Sequence, residues 1–446
     1  MRRLGLVGLL AVVGSAAADD KKKPNVIVFL SDDVGYAEYG FQGNKQIPTP
    51  NIDSIAVNGV RFTSGYVSGP YCSPTRAGLM TGRYQTRFGH EFNEGGATGG
   101  KRGFGLPVEE KTIADRLRAA GYATCAVGKW HLGGGPEFVA TARGFDEFYG
   151  TVANTPFVNP PNFIDSRVGT HLQPVKDDSF YTTDAYGARA ADWIGRQTKP
   201  YLLYLPFNAQ HAPLQAPKKY LDRFPGIADE KRKLFAAMMS AMDDAVGMVM
   251  AKVRERKEEE NTLVFFLSDN GGPTEQTTSR NDPLRGFKAT TLEGGIRVPF
   301  CAQWKGTLPA GVTFDAPVIQ LDILPTALAA VGATPPADAK FDGVNLLPCL
   351  TGKATGRPHD ALYWRFGDQW AVRKGDYKLV VNRIDGVRQP PALYDLAADI
   401  GEAKNLAAEQ PDKAKELQAA YDTWNAGNIP PRWVPAKVAP KKKGKE

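Results

Sequence analysis

Five short runs constrain this chain more than anything else in it. Asn25–Leu30, Tyr122–Val127, Tyr201–Pro206, Leu263–Leu267 and Val298–Cys301 are predominantly apolar and do not alternate. A strand with one wet face alternates apolar and polar residues, so an unbroken run reads as a strand buried on both sides. Helical patterns lie between the runs, over Lys111–Ala120, Thr183–Ile194 and a long stretch near Asp229–Glu258. Strands covered on both faces and separated by helices predict an α/β fold: a large, mostly parallel sheet sandwiched by helices. In the long helix Phe235, Met238, Met239, Met242, Val246, Val249 and Val253 recur at helical spacing, and five of the chain's seven methionines fall there. A core stripe explains that pattern better than a ligand surface does.

After roughly Pro336 the pattern changes. Leu362–Phe366, Trp370–Arg373 and Tyr377–Val381 read as short antiparallel strands, followed by a helix near Pro411–Trp424. The organisation expected is an N-terminal α/β domain over 24–336 and a smaller α+β subdomain over 337–430. No internal repeat is visible. Residues 1–18 have the three parts of a secretory signal: Arg2 and Arg3, the apolar stretch Leu4–Val13, and Ala16-Ala17-Ala18 as a cleavage site. That predicts export to the periplasm or the extracellular space. The apolar stretch is too short to span a bilayer, and no later segment reads as a membrane span, so no integral membrane association is expected. Four cysteines (Cys72, Cys125, Cys301, Cys349) in 446 residues do not make a disulfide scaffold, and Cys125 and Cys301 sit in strand-like apolar runs as small hydrophobes. The formal charge of +7 would suggest nucleic acid, but it is carried by the ends, in Arg2, Arg3, Lys21–Lys23 and the Lys-rich tail at 435–446. Residues 24–434 carry no net charge, and no polyanion-binding surface follows from them.

In open α/β sheets ligands gather beyond the carboxyl ends of the strands, and here those ends are polar. Ser31-Asp32-Asp33 follows the first run, and Ser268-Asp269-Asn270-Gly271-Gly272 follows the fourth. Adjacent carboxylates at a strand end repel unless a cation lies between them. Three Asp and one Asn offer only oxygen, which suits Ca²⁺ or Mg²⁺ rather than zinc, though turn and cap duty accounts for any one such cluster taken alone. Cys72-Ser73-Pro74-Thr75-Arg76 reads as a helix start, with Ser73 as N-cap and Pro74 as first helical residue. This puts Cys72 where free amides favour an anion, so a reactive thiol, an anion site and a plain buried cysteine all remain open. Lys129 and His131 lie two residues apart after the second run, His211 follows the third, and Lys288 comes shortly after the Asp269 cluster. A lone histidine is more often structural than catalytic. Two of five histidines beside other charged groups at strand ends are less easily dismissed. A hard cation, fixed positive charges, imidazoles and one candidate nucleophile would together suit attack on a tetrahedral oxyanion ester.

These residues resemble the type I sulfatases of the alkaline phosphatase superfamily. The C-x-P-x-R nucleophile signature with a following T-G-R is matched by Cys72–Arg76 and Thr81-Gly82-Arg83. Asp32-Asp33, Gly128-Lys129-Trp130-His131, His211-Ala212-Pro213, Asp269-Asn270-Gly271-Gly272 and Gly286-Phe287-Lys288 follow in the family order. Leu393-Tyr394-Asp395-Leu396 with Glu402 and Asn405-Leu406 is similar to its C-terminal motif. The resemblance implies an alkaline phosphatase-like fold and a sulfuric ester hydrolase in which Cys72 is oxidised to formylglycine by a formylglycine-generating or sulfatase-maturating enzyme. The hydrated aldehyde would be the nucleophile. Asp32, Asp33, Asp269 and Asn270, with residue 72, would hold one Ca²⁺, and Asp269 would help deprotonate the attacking hydroxyl. Arg76 and Lys129 would hold formylglycine and sulfate charge, Lys288 would contact sulfate, His211 would protonate the leaving oxygen, and His131 would assist release.

Three positions depart from the family pattern: Thr75 for the commoner serine, Ile400 for proline, and Asn154 in place of a serine near the sulfate, which is left out of the expected site. A sulfated carbohydrate is the substrate class that export and a sulfate-ester site suggest. The rival readings are a phosphomonoester or phosphonate hydrolase of the same superfamily, and a non-catalytic binder of sulfated glycan should Cys72 stay unconverted. Thr151–Asp184 and the loop His90–Gly103 are expected to rim the pocket; sugar contact by His90, Asn93 and His171 stays open there, with ordinary surface loop residues the better reading of each. Because its charge is remote from this chemistry, deleting 435–446 should leave turnover of a small sulfate ester unchanged; a tenfold change in kcat would refute that.

Overall fold

The unbroken apolar runs form the middle of a nine-stranded sheet. In the computed structural model, which describes residues 23–93, 104–337 and 339–434, the strands lie in the order Val312–Phe314, Val60–Phe62, Phe300–Gln303, Thr262–Ser268, Asn25–Ser31, Tyr201–Pro206, Ala123–Lys129, Glu147–Thr151 and Phe163–Asp165. Residues 1–18, the tail 435–446 and residues 94–103 of the expected rim loop lie outside the described residues. Only Phe300–Gln303 and Phe163–Asp165 run against the rest, so the sheet is mixed but mostly parallel.

Both faces of the central strand are covered, which is why its sequence does not alternate. Val26, Val28 and Leu30 point into one apolar layer with Leu79, Met80, Trp130 and Leu324. Ile27 and Phe29 point into the other, with Met238, Met239, Met242 and Val246. The methionine-rich helix spans Glu230–Glu255 and begins where the Asp229 carboxylate accepts the Arg232 amide. All seven stripe residues are buried, while Met248 faces outward. In length and composition this helix could cross a membrane, which corrects the expectation that no later segment reaches that class; here its apolar face is spent on the sheet.

The second run extends further than its apolar residues suggest, as the strand Ala123–Lys129. Gly128 makes the extension possible: its φ is +130°, and a Cβ there would lie 1.8 Å from the Pro206 carbonyl oxygen. No larger residue could carry the chain past the neighbouring strand to Lys129. The helix expected near Lys111–Ala120 is Ile113–Ala119, started by a reciprocal capping box between Thr112 and Asp115. Cys72, Cys125, Cys301 and Cys349 are all free thiols.

The C-terminal residues form a four-stranded antiparallel sheet: Ala361–Phe366, Gln369–Lys374, Tyr377–Val381 and Ala392–Asp395. The first three match the sequence reading, and the fourth, within the motif at 393–396, was not read as a strand. The helix Pro411–Asn425 lays Tyr421 on Trp370 and Trp424 on Tyr363, with ring centroids 4.3 and 5.1 Å apart. One apolar cluster joins this sheet to Tyr66, Ile296 and Ile319 of the large unit.

A buried charge group crosses the same junction. Lys378 Nζ lies 2.8 Å from Glu293 and 2.9 Å from Glu402, and the Glu293 amide donates to Glu402. Burial and the neighbouring Glu293 push Glu402 up to about 7, although Lys378 opposes the rise. Burial also works against the charge on Glu293, but Lys378 and Arg297 outweigh it and hold Glu293 at about 2. Lys378→Met removes the cation between the two buried acids and leaves Glu293 paired with Arg297, and about 3–5 kcal/mol of stability should be lost in denaturant unfolding. The protonated form of Glu402 is the one the fold favours, so its contribution is complete below the ordinary value of 4.5 and disappears as pH rises through about 7. Wild type should therefore lose thermal stability relative to Glu402→Gln between pH 5 and 8; parallel Tm curves would contradict this.

Candidate active site

The four polar strand ends meet because their strands are neighbours. Thr262–Ser268, Asn25–Ser31, Tyr201–Pro206 and Ala123–Lys129 are consecutive across the sheet, with Ser31 level with Ser268 and Leu30 level with Pro206. The chain beyond them delivers Asp269, then Asp32 and Asp33, then His211, and Lys129 closes the row. Asp33 and His131 take left-handed backbone conformations, with φ of 64° and 56°. Such angles in residues with side chains are strained and occur where the surroundings enforce them. Gly271 lets the Asp269 loop close, since a Cβ there would lie 1.7 Å from the Gly294 oxygen.

Asp32, Asp33, Cys72 and Asp269 are fully buried, and one ligand atom from each lies within 4.8 Å of all the others. Cys72 Sγ is 3.5 Å from Asp32 Oδ1. Three cations answer the three carboxylates. Arg76 donates through Nε and Nη2 to Asp269 Oδ2 at 3.1 and 2.8 Å, and its Nη1 is anchored on the Lys129 carbonyl at 2.7 Å. Lys129 Nζ sits on Asp32, and Lys288 Nζ on Asp33 at 2.6 Å. Burial alone would raise Asp32, but Lys129 and then Arg76 hold it far below the usual carboxylate range. Asp269 moves the other way, to about 6, through burial and the charge of Asp32. Asn270 donates to Asp33 Oδ1 at 2.8 Å, and its own Oδ1 is buried without a hydrogen-bond partner. An orphaned amide oxygen beside three carboxylates is the donor set a hard divalent cation takes.

The helix that begins at Cys72 differs from its expected form. It spans Cys72–Thr81, and Tyr71 in extended conformation precedes it without a side-chain cap. Ser73 is not the N-cap: its hydroxyl lies 2.7 Å from the His131 carbonyl oxygen and 2.5 Å from His90 Nε2. The amides of this first turn are not free for the anion site left open above. The Ser73 amide is taken by Asn93 Oδ1, that of Thr75 by the Tyr71 carbonyl, and Pro74 has none. Burial pushes the Cys72 thiol well above its ordinary value despite Lys129 and Lys288, which disfavours the thiolate. Anion affinity at this site comes from side-chain cations instead.

His211 is partly exposed at the mouth. Nδ1 lies 2.6 Å from the Ala212 carbonyl oxygen, an acceptor, so Nδ1 carries the proton and Nε2 is the free lone pair. The Asn154 amide donates to that Nε2 at 3.0 Å, which brings into the site the residue the sequence reading had set aside. His131 is buried, its Nδ1 has no hydrogen-bond partner, and burial with Lys129 keeps its ring neutral. His90 and Asn93 are not surface loop residues. His90 is fully buried, and both pack beneath the helix Cys72–Thr81. Their polar sequence context at 89–93 carried no signal of that. His171 lies far along the sheet, in a shallow cavity of about 220 Å³ beside Asp165 and Phe180.

A cavity of about 640 Å³ opens over Lys288 and His211, walled by Tyr71, Asn154, Glu275 and Phe287. Lys288 Nζ also lies 5.1 Å from the centre of the Tyr71 ring. Another cavity, of about 630 Å³, lies at the opposite end of the sheet between Lys111 and Leu328 and touches none of these groups.

Comparison with known proteins matches this arrangement to one family. The sulfatase family model covers residues 24–333, and that of the N-sulphoglucosamine sulphohydrolase C-terminal region covers 287–423. Human N-acetylgalactosamine-6-sulfatase is 33% identical over 436 residues, covering 87% of this chain and 82% of its own. Human arylsulfatase A is 34% identical over 450 residues, covering 89% and 86%. The crystal structure of Ps i-CgsB in complex with κ-ι-κ-neocarrahexaose superimposes with a TM-score of 0.85 at 32% identity, over 93% of this chain and 95% of that one. With a family match across most of the chain and relatives of this identity along nearly its whole length, the chain belongs to the sulfatase family and is a sulfuric ester hydrolase.

Proposed function

We propose that this sulfatase removes sulfate from a sulfated carbohydrate, with Cys72 converted to formylglycine and one Ca²⁺ held by Asp32, Asp33, Asp269 and Asn270 around residue 72. The observation that carries the reading is the buried ring of three carboxylates and one orphaned amide oxygen about residue 72, matched in charge by Arg76, Lys129 and Lys288. Three carboxylates and three cations cancel, so a divalent ion would leave the pocket net positive, as an anionic sulfate ester requires. Two relatives support a sugar substrate: one is named for sulfated N-acetylgalactosamine, and another was crystallised with a neocarrahexaose.

When present, formylglycine supplies as its hydrate the hydroxyl that a buried thiol cannot, and Ca²⁺ supplies charge against the sulfate oxygens. The chain's own residues do the rest. Arg76 is fixed at three atoms and pins the helix bearing residue 72 to Asp269 and to the end of the Lys129 strand. Asp32 carries both Lys129 and Arg76, whereas Asp269 carries Arg76 alone, which leaves Asp269 the better proton acceptor. Lys288 reaches from the mouth and meets the sulfate oxygens there. Resting neutral with its Nδ1 proton held by Ala212 and its ring steadied by Asn154, His211 takes up a second proton on Nε2, passes it to the leaving sugar oxygen and returns to the neutral ring. His131, neutral and buried on the inner side, accepts a proton in the release step.

The maturing partner is a formylglycine-generating enzyme, and residues 1–18 would direct the protein to the periplasm or beyond the cell. Expressed with such a partner, the protein should show formylglycine at residue 72 by peptide mass spectrometry and release sulfate from members of a panel of sulfated oligosaccharides. An intact thiol in all molecules would refute the chemistry. Release confined to phosphate esters would favour the rival hydrolase. Asp269→Ala should lose both bound calcium, measured by metal analysis, and sulfate release; activity on an aryl sulfate surviving that change would overturn the metal assignment.

A further inference from the structure

The contacts behind residue 72 form a second layer that none of the assigned roles uses. Ser73 has one hydroxyl proton and two neighbours, the His131 carbonyl oxygen at 2.7 Å and His90 Nε2 at 2.5 Å. A carbonyl oxygen only accepts, so Ser73 donates to His131 and the His90 Nε2–H donates to Ser73. Burial, opposed by the Gly105 backbone, holds the His90 pKa down to about 3, so the ring is neutral, and the Ser73 contact places its one proton on Nε2. Asn93 Oδ1 takes the Ser73 amide at 2.9 Å. With no cap from Tyr71, these three outside contacts set where the first turn of the helix sits, one residue from the nucleophile.

The segment that carries His90 and Asn93 is itself held from the far end of the chain. The Ile429 amide donates to the Thr86 carbonyl at 3.1 Å, and the Arg432 amide to that of Gly89 at 2.9 Å. Arg432 Nε donates to the Phe88 carbonyl at 3.0 Å, and Trp433 Nε1 to that of Phe92 at 3.0 Å. The Trp433 ring stands edge-on against His90, centroids 4.7 Å apart. Glu91 adds a pairing with Arg365 of the C-terminal sheet at 2.8 Å. Residues 429–433 lie past residue 423, where the match to the C-terminal family region ends.

We propose that His90 is a positioning residue for the nucleophile, acting through Ser73, and that the terminal segment 429–433 is the clamp that keeps it in place. The proposal rests on the formylglycine reading of residue 72. Its logic is geometric: a displacement of about 1 Å at a reacting atom lowers turnover by about a hundredfold without weakening ground-state binding.

The test compares His90→Phe, which keeps the ring against Trp433 but removes the donor, with His90→Gln, whose amide can still donate. For each, kcat and KM on a small aryl sulfate are measured per formylglycine-bearing molecule, counted by mass spectrometry, with Tm recorded alongside. His90→Phe should lose roughly 10- to 100-fold in kcat with KM within about twofold of the parent. His90→Gln should recover most of the loss. Ser73→Ala, which leaves the ring packing in place, should fall like His90→Phe, and Trp433→Ala should fall in the same direction. Parental kcat per modified molecule in both His90→Phe and Ser73→Ala would overturn the proposal. So would equal impairment of His90→Phe and His90→Gln in step with Tm, because that would mark a purely structural role. A parent that carries formylglycine yet releases no sulfate from any ester would overturn the catalytic reading of residue 72 and this proposal with it.

Discussion

Everything at this site depends on one electrostatic constraint: three carboxylates lie within a few ångströms of one another at full burial. Such a group can persist only if cations are fixed against it, because an unpaired buried carboxylate either protonates or destabilises the fold by several kcal/mol. Arg76, Lys129 and Lys288 meet that requirement from three separate stretches of chain: a helix, a strand end and a loop. Arg76 couples the most, since its guanidinium bonds Asp269 and the Lys129 carbonyl at once and so ties the helix Cys72–Thr81 to two strands. The parallel sheet is what allows these stretches to converge. Its four central strands end level with one another, and Asp32, Asp33, Asp269, Lys129 and His211 beyond them fall into a single cleft.

That convergence explains which features were legible in the sequence. The central strands were readable because burial on both faces removes alternation, and the methionine stripe because a long amphipathic helix repeats its apolar face. Asp32, Asp33, Asp269 and Lys129 were readable because each directly follows an apolar run. The short strands at 60–62, 147–151, 163–165 and 312–314 were not, being too brief to establish a period and set by pairing with neighbours distant in sequence.

The misreadings at the site share a cause as well. Ser73 has the chemistry of an N-cap, but a hydroxyl bonds the best-placed acceptor available, and the His131 carbonyl arrives there only through the tertiary fold. His90 and Asn93 stand in a polar, glycine-containing stretch that reads as surface. His90 is buried and Asn93 half-buried because residues 429–433, more than three hundred positions away, fold over them. Asn154 was set aside because its relation to His211 depends on the spacing between the Glu147–Thr151 strand and the loop after Pro206, which no local pattern encodes. Local chemistry announces residues at strand ends; residues recruited by long-range closure are silent until the fold is known.

The charge distribution carries the last consequence. Between residues 24 and 434 the protein has no net charge, so no long-range field draws in a polyanion. Attraction for an anionic ester must then be local, and it falls off steeply away from the cleft because each interior cation is already paired with a carboxylate. At the mouth, Lys288 and the partly exposed His211 face Glu275, Asn154 and the outward Phe287. The paired cations lie at the inner end of the cleft, and an aromatic, an amide and one carboxylate lie further out. On the proposed reading the inner cluster would carry the reaction, and discrimination among substrates would be left to these few outer groups. With a sulfate ester bound as proposed, Glu275 would disfavour a second negative charge beside the scissile group.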